Sequence, residues 1–278
     1  MLFLCLAILS SSAISLIMRI STNRVSGKLS MLSANYIVCS LLGAVYAGFD
    51  LVCPEISGFP TTVALGILGG VLFLVSFMLH QWNTEQNGIV LSTVFMKLGL
   101  LVPISLSVLF FHELPTWPQV AGFGIALVAI VMINAPKNAG ASRFRWELLL
   151  LLLMGGGSDA MSKVFKMLGP AALSNQFLFY IFAVALVLCV FLVLYKKERP
   201  SIRDFLFGAA IGIPNFFSSK FQLRALEDLP AVVVYPSFCV ATMLITTLVG
   251  VFFFKERLQK LQWVAVAAII AALFLLNI

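Results

Sequence analysis

Apolar segments long enough to cross a bilayer alternate with short polar connectors along the whole chain. A membrane-spanning helix needs roughly 17–25 mostly apolar residues, and ten segments meet that length. They lie at about 2–18, 31–49, 61–80, 89–111, 117–134, 147–167, 173–195, 204–223, 231–254 and 261–277. None alternates like a barrel strand, and backbone groups in lipid must be satisfied within the protein. The pattern therefore predicts an all-α integral membrane protein with ten transmembrane helices.

Polar positions of the first half recur in the second half at a constant offset of 143 residues. The matched polar pairs are Ser76 and Ser219, Glu113 and Glu256, Gln119 and Gln262, and Asn134 and Asn277. Matches between polar residues are informative in so apolar a chain, and they indicate an internal duplication. We predict a first five-helix repeat at 1–135, a linker PKNAGASRFR at 136–145, and a second five-helix repeat at 146–278.

The odd number of helices in each repeat means that the second repeat enters the membrane in the opposite orientation. Inverted repeats are typical of secondary transporters, in which two similar halves expose a site on alternate sides of the membrane. The sequence thus predicts two inverted repeats around a central cavity. The two fused halves are expected to act as a monomer.

Composition excludes a soluble globular protein. The chain of 278 residues is 61% hydrophobic and 10% charged, with a mean hydropathy of +1.07, whereas soluble domains are about half apolar and a quarter charged. The lipid bilayer is therefore its expected partner. The net charge of +7 comes from basic residues scattered over short connectors, so no nucleic-acid partner is expected.

Lysine and arginine are distributed unevenly among the connectors. When the connectors are numbered along the chain, starting between the first and second segments, the odd-numbered connectors hold thirteen lysines and arginines. The even-numbered connectors hold two. Because basic residues favour the cytoplasmic side, this asymmetry predicts that the odd connectors are cytoplasmic. Both termini are then expected on the outer side of a cytoplasmic membrane.

Enzyme and metal chemistry find little support in the sequence. Five cysteines and two histidines show no spacing typical of a metal site or a disulfide framework. No cluster of His, Asp and Glu lies in the apolar segments, which argues against a membrane enzyme. We therefore expect no catalytic residue, no bound metal and no cofactor.

Two stretches carry a family resemblance, FFHELPTWPQVAGFGIALVAIVMIN at 110–134 and FFFKERLQKLQWVAVAAIIAALFLLN at 252–277. In both, a helix ends at a turn that contains a glutamate, and a second helix follows. Ten helices in two such halves resemble the drug/metabolite transporter superfamily, in its EamA-like branch. The resemblance implies transport of a small-molecule solute by alternating access, through a cavity lined by the first four helices of each half. It leaves the solute, the direction and the coupling ion open.

Four charged side chains lie well inside the predicted helices: Lys97, Asp159, Lys163 and Lys220. A charge at the centre of a spanning helix costs about 2.5–3.5 kcal/mol, and such residues usually face the bundle interior or a cavity. They are therefore the main candidates for solute binding or ion coupling. Three lysines against one aspartate predict a solute with a carboxylate or another anionic group, such as an amino acid.

Structural roles are the alternatives for these charges. Asp159 and Lys163 are four residues apart on one helix face, so they form either a solute-binding or gating centre or a buried ion pair. Three glycines at 155–157 predict an irregular backbone beside them. Lys97 has Val240 as its counterpart in the second repeat, and a charge present in one repeat only favours a role in solute binding. The alternative for Lys97 is a partner for Asp159 across the bundle.

The weaker candidates for solute binding or coupling are polar side chains near helix ends or kinks: Ser76, His80, Asn215, Ser219 and Tyr235. Lys220 lies toward the end of its helix, where it either joins these polar groups or snorkels to the membrane surface. A histidine side chain can titrate near neutral pH, so His80 would suit proton coupling, although a single histidine near a helix end is more often interfacial. Protons are therefore one alternative as the coupling ion.

Glu113 and Glu256 end two apolar runs, VLFFHEL and VFFFKERL. In the inverted topology they lie on opposite faces of the membrane and cannot form one site. A carboxylate at such a turn accepts hydrogen bonds from free amides at the start of the next helix and suits its positive dipole end. We therefore predict a structural role for both glutamates.

The sequence leaves two alternatives to a metabolite transporter. A flippase for a lipid or lipid-linked intermediate would have a cavity that opens laterally to the bilayer. A non-transport membrane scaffold is the less favoured alternative, because it would have no use for four charges inside its helices.

Overall fold

A computed structural model describes residues 1–21, 24–87, 89–133, 146–254 and 260–278. These residues form helices and connecting turns, and no strand occurs among them. The helices are α1 (Leu2–Ser21), α2 (Lys28–Tyr46), α3 (Phe59–Asn87), α4 (Ile89–Leu98), α5 (Leu101–Phe111), α6 (Trp117–Ile133), α7 (Trp146–Leu168), α8 (Ser174–Tyr195), α9 (Ile202–Asp228), α10 (Ala231–Phe254) and α11 (Lys260–Leu276). The predicted linker and Glu256 lie outside the described residues.

Seven of the described helical segments are long and apolar enough to cross a membrane, which confirms an all-α architecture with several spans. They are Leu2–Ser21, Lys28–Tyr46, Phe59–Thr84, Ser92–Phe111, Trp146–Leu168, Ala171–Tyr195 and Ala231–Phe253. Three predicted spans are not among these seven. α6 and α11 are shorter apolar helices, of which 17 residues each are described. α9 has 27 residues but carries several charges. The number of ten spans stays a prediction.

The fourth predicted segment is interrupted where the sequence predicted an unbroken helix. Gly99 and Leu100 separate α4 from α5. Pro103 explains the break, because proline has no N–H to donate to the carbonyl four residues earlier, and its ring crowds that carbonyl. That carbonyl belongs to Gly99, and it accepts from the Val102 N–H at 2.9 Å instead.

The glycine run at 155–157, by contrast, does not break its helix: α7 is continuous from Trp146 to Leu168. The expectation of an irregular backbone there is wrong. Gly156 has a packing role, because its Cα faces the Gly99 carbonyl oxygen and Val102, with no room for a methyl group. The glycines therefore bring α7 against the interruption between α4 and α5.

Two compact units divide the chain, and neither coincides with a predicted sequence repeat. The first unit comprises Met1–Leu74 and Met161–Glu227, and the second comprises Val75–Ala160 and Asp228–Ile278. Each unit thus takes helices from both halves of the chain. The division into two repeats concerns the sequence, and it stays a prediction.

Each unit has one dominant helix pair. In the first unit α2 packs along α8, and in the second α6 packs along α11. The α2–α8 pair is antiparallel, because Ser33 near the start of α2 bonds Cys189 near the end of α8, while Gly43 lies against Phe179 near its start. Gly122 near the start of α6 likewise lies against the end of α11.

Two acidic side chains fix the start of α2 in the first unit. Asp204 is fully buried and accepts hydrogen bonds from the backbone amides of Ser26 at 2.9 Å, Gly27 at 3.1 Å and Ser201 at 3.0 Å. Glu198 accepts the Ser30 amide at 2.9 Å. Negative groups at a helix N-terminus also suit its dipole, so these two side chains tie the α8–α9 connection to α2.

Asp204→Asn is expected to lower the free energy of unfolding in detergent by about 2–4 kcal/mol, because charge-assisted bonds to buried amides are lost. One oxygen of Asp204 serves two amides, and an asparagine NH₂ group in its place would face them as a second donor. The measurement is the denaturation midpoint. The matched control is Asp228→Asn at the exposed end of the same helix, which should change it little. Equal midpoints for the two variants would contradict this role.

Candidate functional site

Lys97 lies near other titratable side chains of the second unit. Its ammonium is within electrostatic range of side chains on three other helices: His80 on α3, Asp159 on α7 and Cys239 on α10. Asp159 also acts on Cys239. The structure thus brings together three of the sequence candidates, Lys97, Asp159 and His80.

The interruption between α4 and α5 accounts for the position of Lys97. The residue lies in the last turn of α4, two residues before Gly99. The carbonyl end of a helix carries partial negative charge and stabilises a cation there. Interrupted membrane helices whose ends face ionic groups are characteristic of transporter binding sites. The α4 end therefore provides a favourable place for an ammonium at membrane depth.

Asp159 keeps an exposed side chain although it lies in the middle of an apolar helix. A carboxylate facing hydrocarbon would be costly, so Asp159 is expected to face a polar environment. The Tyr235 hydroxyl donates to the backbone carbonyl of Asp159 at 2.9 Å, and Tyr235 is itself buried. Tyr235 therefore positions the Asp159 backbone from α10.

Cys239 was not among the sequence candidates. It is buried on α10, one turn after Tyr235, and lies in range of both Lys97 and Asp159. The sequence offered no signal for it, because a cysteine in an apolar run is usually a small hydrophobic residue. Ser76, which was a candidate, is buried on the part of α3 that belongs to the second unit.

Lys220 lies in a different setting, within the first unit. Its Nζ is 3.2 Å from the centroid of the Tyr46 ring and 5.9 Å from that of Phe216. Tyr46 is the last residue of α2 and is 44% exposed, so this cation–π contact lies at a helix end. Of the two sequence alternatives for Lys220, the geometry favours a residue anchored near the membrane surface.

Asn215, Ser219 and Lys163 also belong to the first unit. The Asn215 side chain donates to the Asn35 carboxamide oxygen at 3.1 Å, which joins α9 to α2. Ser219 is half-buried on α9. Lys163 is fully buried on α7, whereas Asp159 one turn earlier is exposed, so the two residues have unlike surroundings. Their pairing stays a prediction.

Glu113 contacts the start of α10. Its carboxylate accepts from the Ser107 hydroxyl and, at 3.1 Å, from the amide of Ala231, the first residue of α10. The predicted role at the start of α6, the helix that follows Glu113 in sequence, stays a prediction. Ala231 is 118 residues away in sequence, so no local pattern could reveal this contact.

Seven apolar helical segments and charged groups at membrane depth define a multi-pass α-helical membrane protein. Residues 145–278 match the model of the EamA-like transporter family, which belongs to the drug/metabolite transporter superfamily. This part of the chain is therefore similar to a family whose members are transporters, and the resemblance seen in the sequence is confirmed.

Two further comparisons cover nearly the whole chain. An uncharacterized protein of Haemophilus influenzae is 25% identical over 291 residues, spanning 98% of this chain and 96% of that protein. A protein of known crystal structure superposes with a TM-score of 0.74 at 16% identity, covering 99% of this chain and 94% of that one. The second comparison shows a shared fold.

Proposed function

We propose that the protein is a secondary transporter that moves a small polar metabolite across the cytoplasmic membrane by alternating access. The observation that carries the proposal is the Lys97 ammonium at the end of an interrupted membrane helix, in electrostatic range of the exposed Asp159 carboxylate. Charges at membrane depth mark substrate and ion pathways in general. The solute that suits a lysine site best is an amino acid or another carboxylate-bearing molecule.

An inverted duplication, which this mechanism uses, is supported by the starts of two helices. α3 begins at Phe59 and α9 begins at Ile202, which lies 143 residues later, the offset of the polar matches. One duplicated pattern of helices accounts for this spacing.

Reciprocal contacts within the first unit also support the duplication. A methyl group added to Gly69 would lie 3.1 Å from Ile181, and one added to Gly212 would lie 2.7 Å from Val38. The offset of 143 relates Gly69 to Gly212 and Val38 to Ile181, so each contact is the exchanged form of the other. A two-fold relation between repeats predicts such exchange. The antiparallel α2–α8 pair, whose members are counterparts, favours an inverted two-fold relation.

The residues divide into two roles under this proposal. Lys97 binds the solute carboxylate, and Asp159 faces an amino group of the solute or a coupling proton. His80 and Tyr235 shape this site from α3 and α10. Lys163 stays a candidate on α7. Lys220 and Asn215 hold α9 against α2 through Tyr46 and Asn35, and this role is structural.

Uptake by liposomes that contain the purified protein tests the proposal. We expect carboxylate-bearing metabolites, amino acids among them, to accumulate above protein-free liposomes, and the matched carboxamides or methyl esters to accumulate at least about tenfold less. Imposing an inward or an outward pH gradient separates proton coupling from facilitated movement. Protein that has been heat-denatured before reconstitution is the control.

Equal uptake of carboxylate-bearing metabolites and of their carboxamides or methyl esters would contradict the proposed solute class. Transbilayer movement of a labelled lipid without any metabolite uptake would instead favour the flippase alternative. No activity across both assays, with protein shown to be folded and inserted, would contradict the transporter proposal itself.

A further inference from the structure

The connection between α2 and α3 gathers three side chains that can act as metal ligands. Asp50, Cys53 and Glu55 each present a ligand atom, and these atoms lie within 4.8 Å of one another. The segment AGFDLVCPEISG at 47–58 holds these two acidic residues and no basic one. Cys53 is buried, whereas the two carboxylates are exposed and free to adjust.

Side chains of α8 hold this connection in place within the first unit. Gln176 donates through Nε2 to the Asp50 carbonyl at 3.0 Å, and the same nitrogen is 3.8 Å from Cys53 Sγ. The Tyr180 hydroxyl donates to the Leu51 carbonyl at 2.7 Å. The three ligand atoms therefore belong to an ordered segment, which lowers the entropic cost of binding an ion.

Gln176 supplies the independent observation that points to a ligand. Its side chain is 7% exposed, and its Oε1 is buried without a hydrogen-bond partner in the described part of the chain. Because Nε2 bonds a carbonyl oxygen, the assignment of the two amide atoms follows from chemistry. Oε1 belongs to the carboxamide that touches Cys53, and a buried acceptor without a donor costs free energy unless a cation satisfies it.

The two carboxylates lead to the same conclusion. Among the residues that the structure describes, no lysine or arginine forms an ion pair with Asp50 or Glu55. Two carboxylates at this separation repel each other, and a shared cation would remove that repulsion. A cation shared by both carboxylates would lie beside the Gln176 carboxamide, whose buried oxygen we infer turns toward it.

We propose that Asp50, Cys53, Glu55 and Gln176 bind a divalent cation of the Zn²⁺ class. A thiolate with carboxylate and carbonyl oxygens is a donor set for Zn²⁺, whereas Mg²⁺ and Ca²⁺ prefer oxygen alone. Ligand atoms of a tetrahedral zinc site lie ~3.6 Å apart, so small rotations of the exposed carboxylates complete it. The bound ion would tie the α2–α3 connection to α8.

This site is absent from the sequence prediction because its donors are not adjacent. Gln176 lies 123 residues after Cys53, and Cys-x-Glu alone is not a metal motif. The thiol loses its proton to the solvent when the metal binds.

Titration of the purified full-length protein in detergent with Co²⁺ tests the proposal. We expect one equivalent to bind, with sulfur-to-cobalt charge-transfer absorption that Zn²⁺ abolishes and excess Mg²⁺ does not. Cys53→Ser should remove this absorption. The double variant Asp50→Asn with Glu55→Gln, at exposed positions, should keep the fold and weaken Co²⁺ binding at least about tenfold. Cys5→Ser, at the exposed cysteine of α1, is the matched control and should change nothing.

Absorption that survives Cys53→Ser would overturn the assignment, and so would unchanged affinity in the double carboxylate variant. If Gln176→Ala leaves the Co²⁺ affinity unchanged, Gln176 is not a ligand, and the four-ligand site is overturned. These readouts are independent of transport, so they fail or succeed separately from the proposed transport function.

Discussion

Replacing Lys97 by methionine is expected to reduce liposome uptake of a carboxylate-bearing solute by about 100-fold, because a desolvated charge contact is worth roughly 2–5 kcal/mol. The loss should be in transport rather than in folding. Methionine keeps most of the length of the lysine side chain, and it removes the cost of holding an ammonium at membrane depth.

Two matched variants separate this effect from general damage. Lys97→Arg keeps the charge and should retain more transport than Lys97→Met. Arg224→Gln removes a basic residue whose bond to Glu227, at 2.9 Å, is exposed, so uptake should change less than about twofold. Wild-type uptake in Lys97→Met, with the protein folded and inserted, would show that the α4 end does not bind the solute.

The prominence of Lys97 shows what the sequence could predict about the site. The cost of a charge in lipid singled out Lys97 and Asp159 without any structural information. Their proximity could be raised only as an alternative for Lys97, because the two residues lie on separate helices that are distant in sequence. The partner of Lys220 was hidden for the same reason: Tyr46 lies at the end of a helix in the other half of the chain.

Helix positions were more predictable than helix interruptions. The predicted start of the apolar run at 231 coincides with the start of α10, and hydrocarbon thickness and backbone satisfaction favour a helix there. α3 continues to Asn87, past the predicted end at residue 80, because helical hydrogen bonding does not require apolar side chains. The interruption after Leu98 leaves no mark on hydropathy, because the residues around it are apolar. Pro103, four residues after Gly99, was a local signal for it.

The contact at Gly156 gives the second large effect: Gly156→Ala is expected to destabilise the protein, whereas Gly155→Ala is not. A methyl group on Gly156 would collide with the Gly99 carbonyl oxygen and lie 2.6 Å from Val102 Cγ2. Backbone cannot move aside as a rotamer can, so overpacking costs about 1–3 kcal/mol or more. At Gly155 the nearest atom is Met96 Sδ at 3.8 Å, an ordinary contact.

Helix propensity makes the comparison sharper. Alanine is favoured over glycine inside a helix by about 0.8–1.0 kcal/mol, and this gain applies at both positions. Gly155→Ala should therefore be neutral or stabilising, whereas the collision at Gly156 outweighs the gain. Denaturation midpoints of the two variants in detergent, compared with wild type, are then expected to shift in opposite directions or to differ by several degrees.

Transport should respond to Gly156→Ala as well, because the contact lies between the two charged residues of the proposed site. Lys97 precedes Gly99 by two residues, and Asp159 follows Gly156 by three, so separating α7 from the α4–α5 interruption moves both charges. Gly99→Ala, whose methyl group would lie 2.9 Å from the Gly156 nitrogen, should act in the same direction. A Gly156→Ala protein as stable and active as Gly155→Ala would mean that this close approach does not position Lys97 and Asp159.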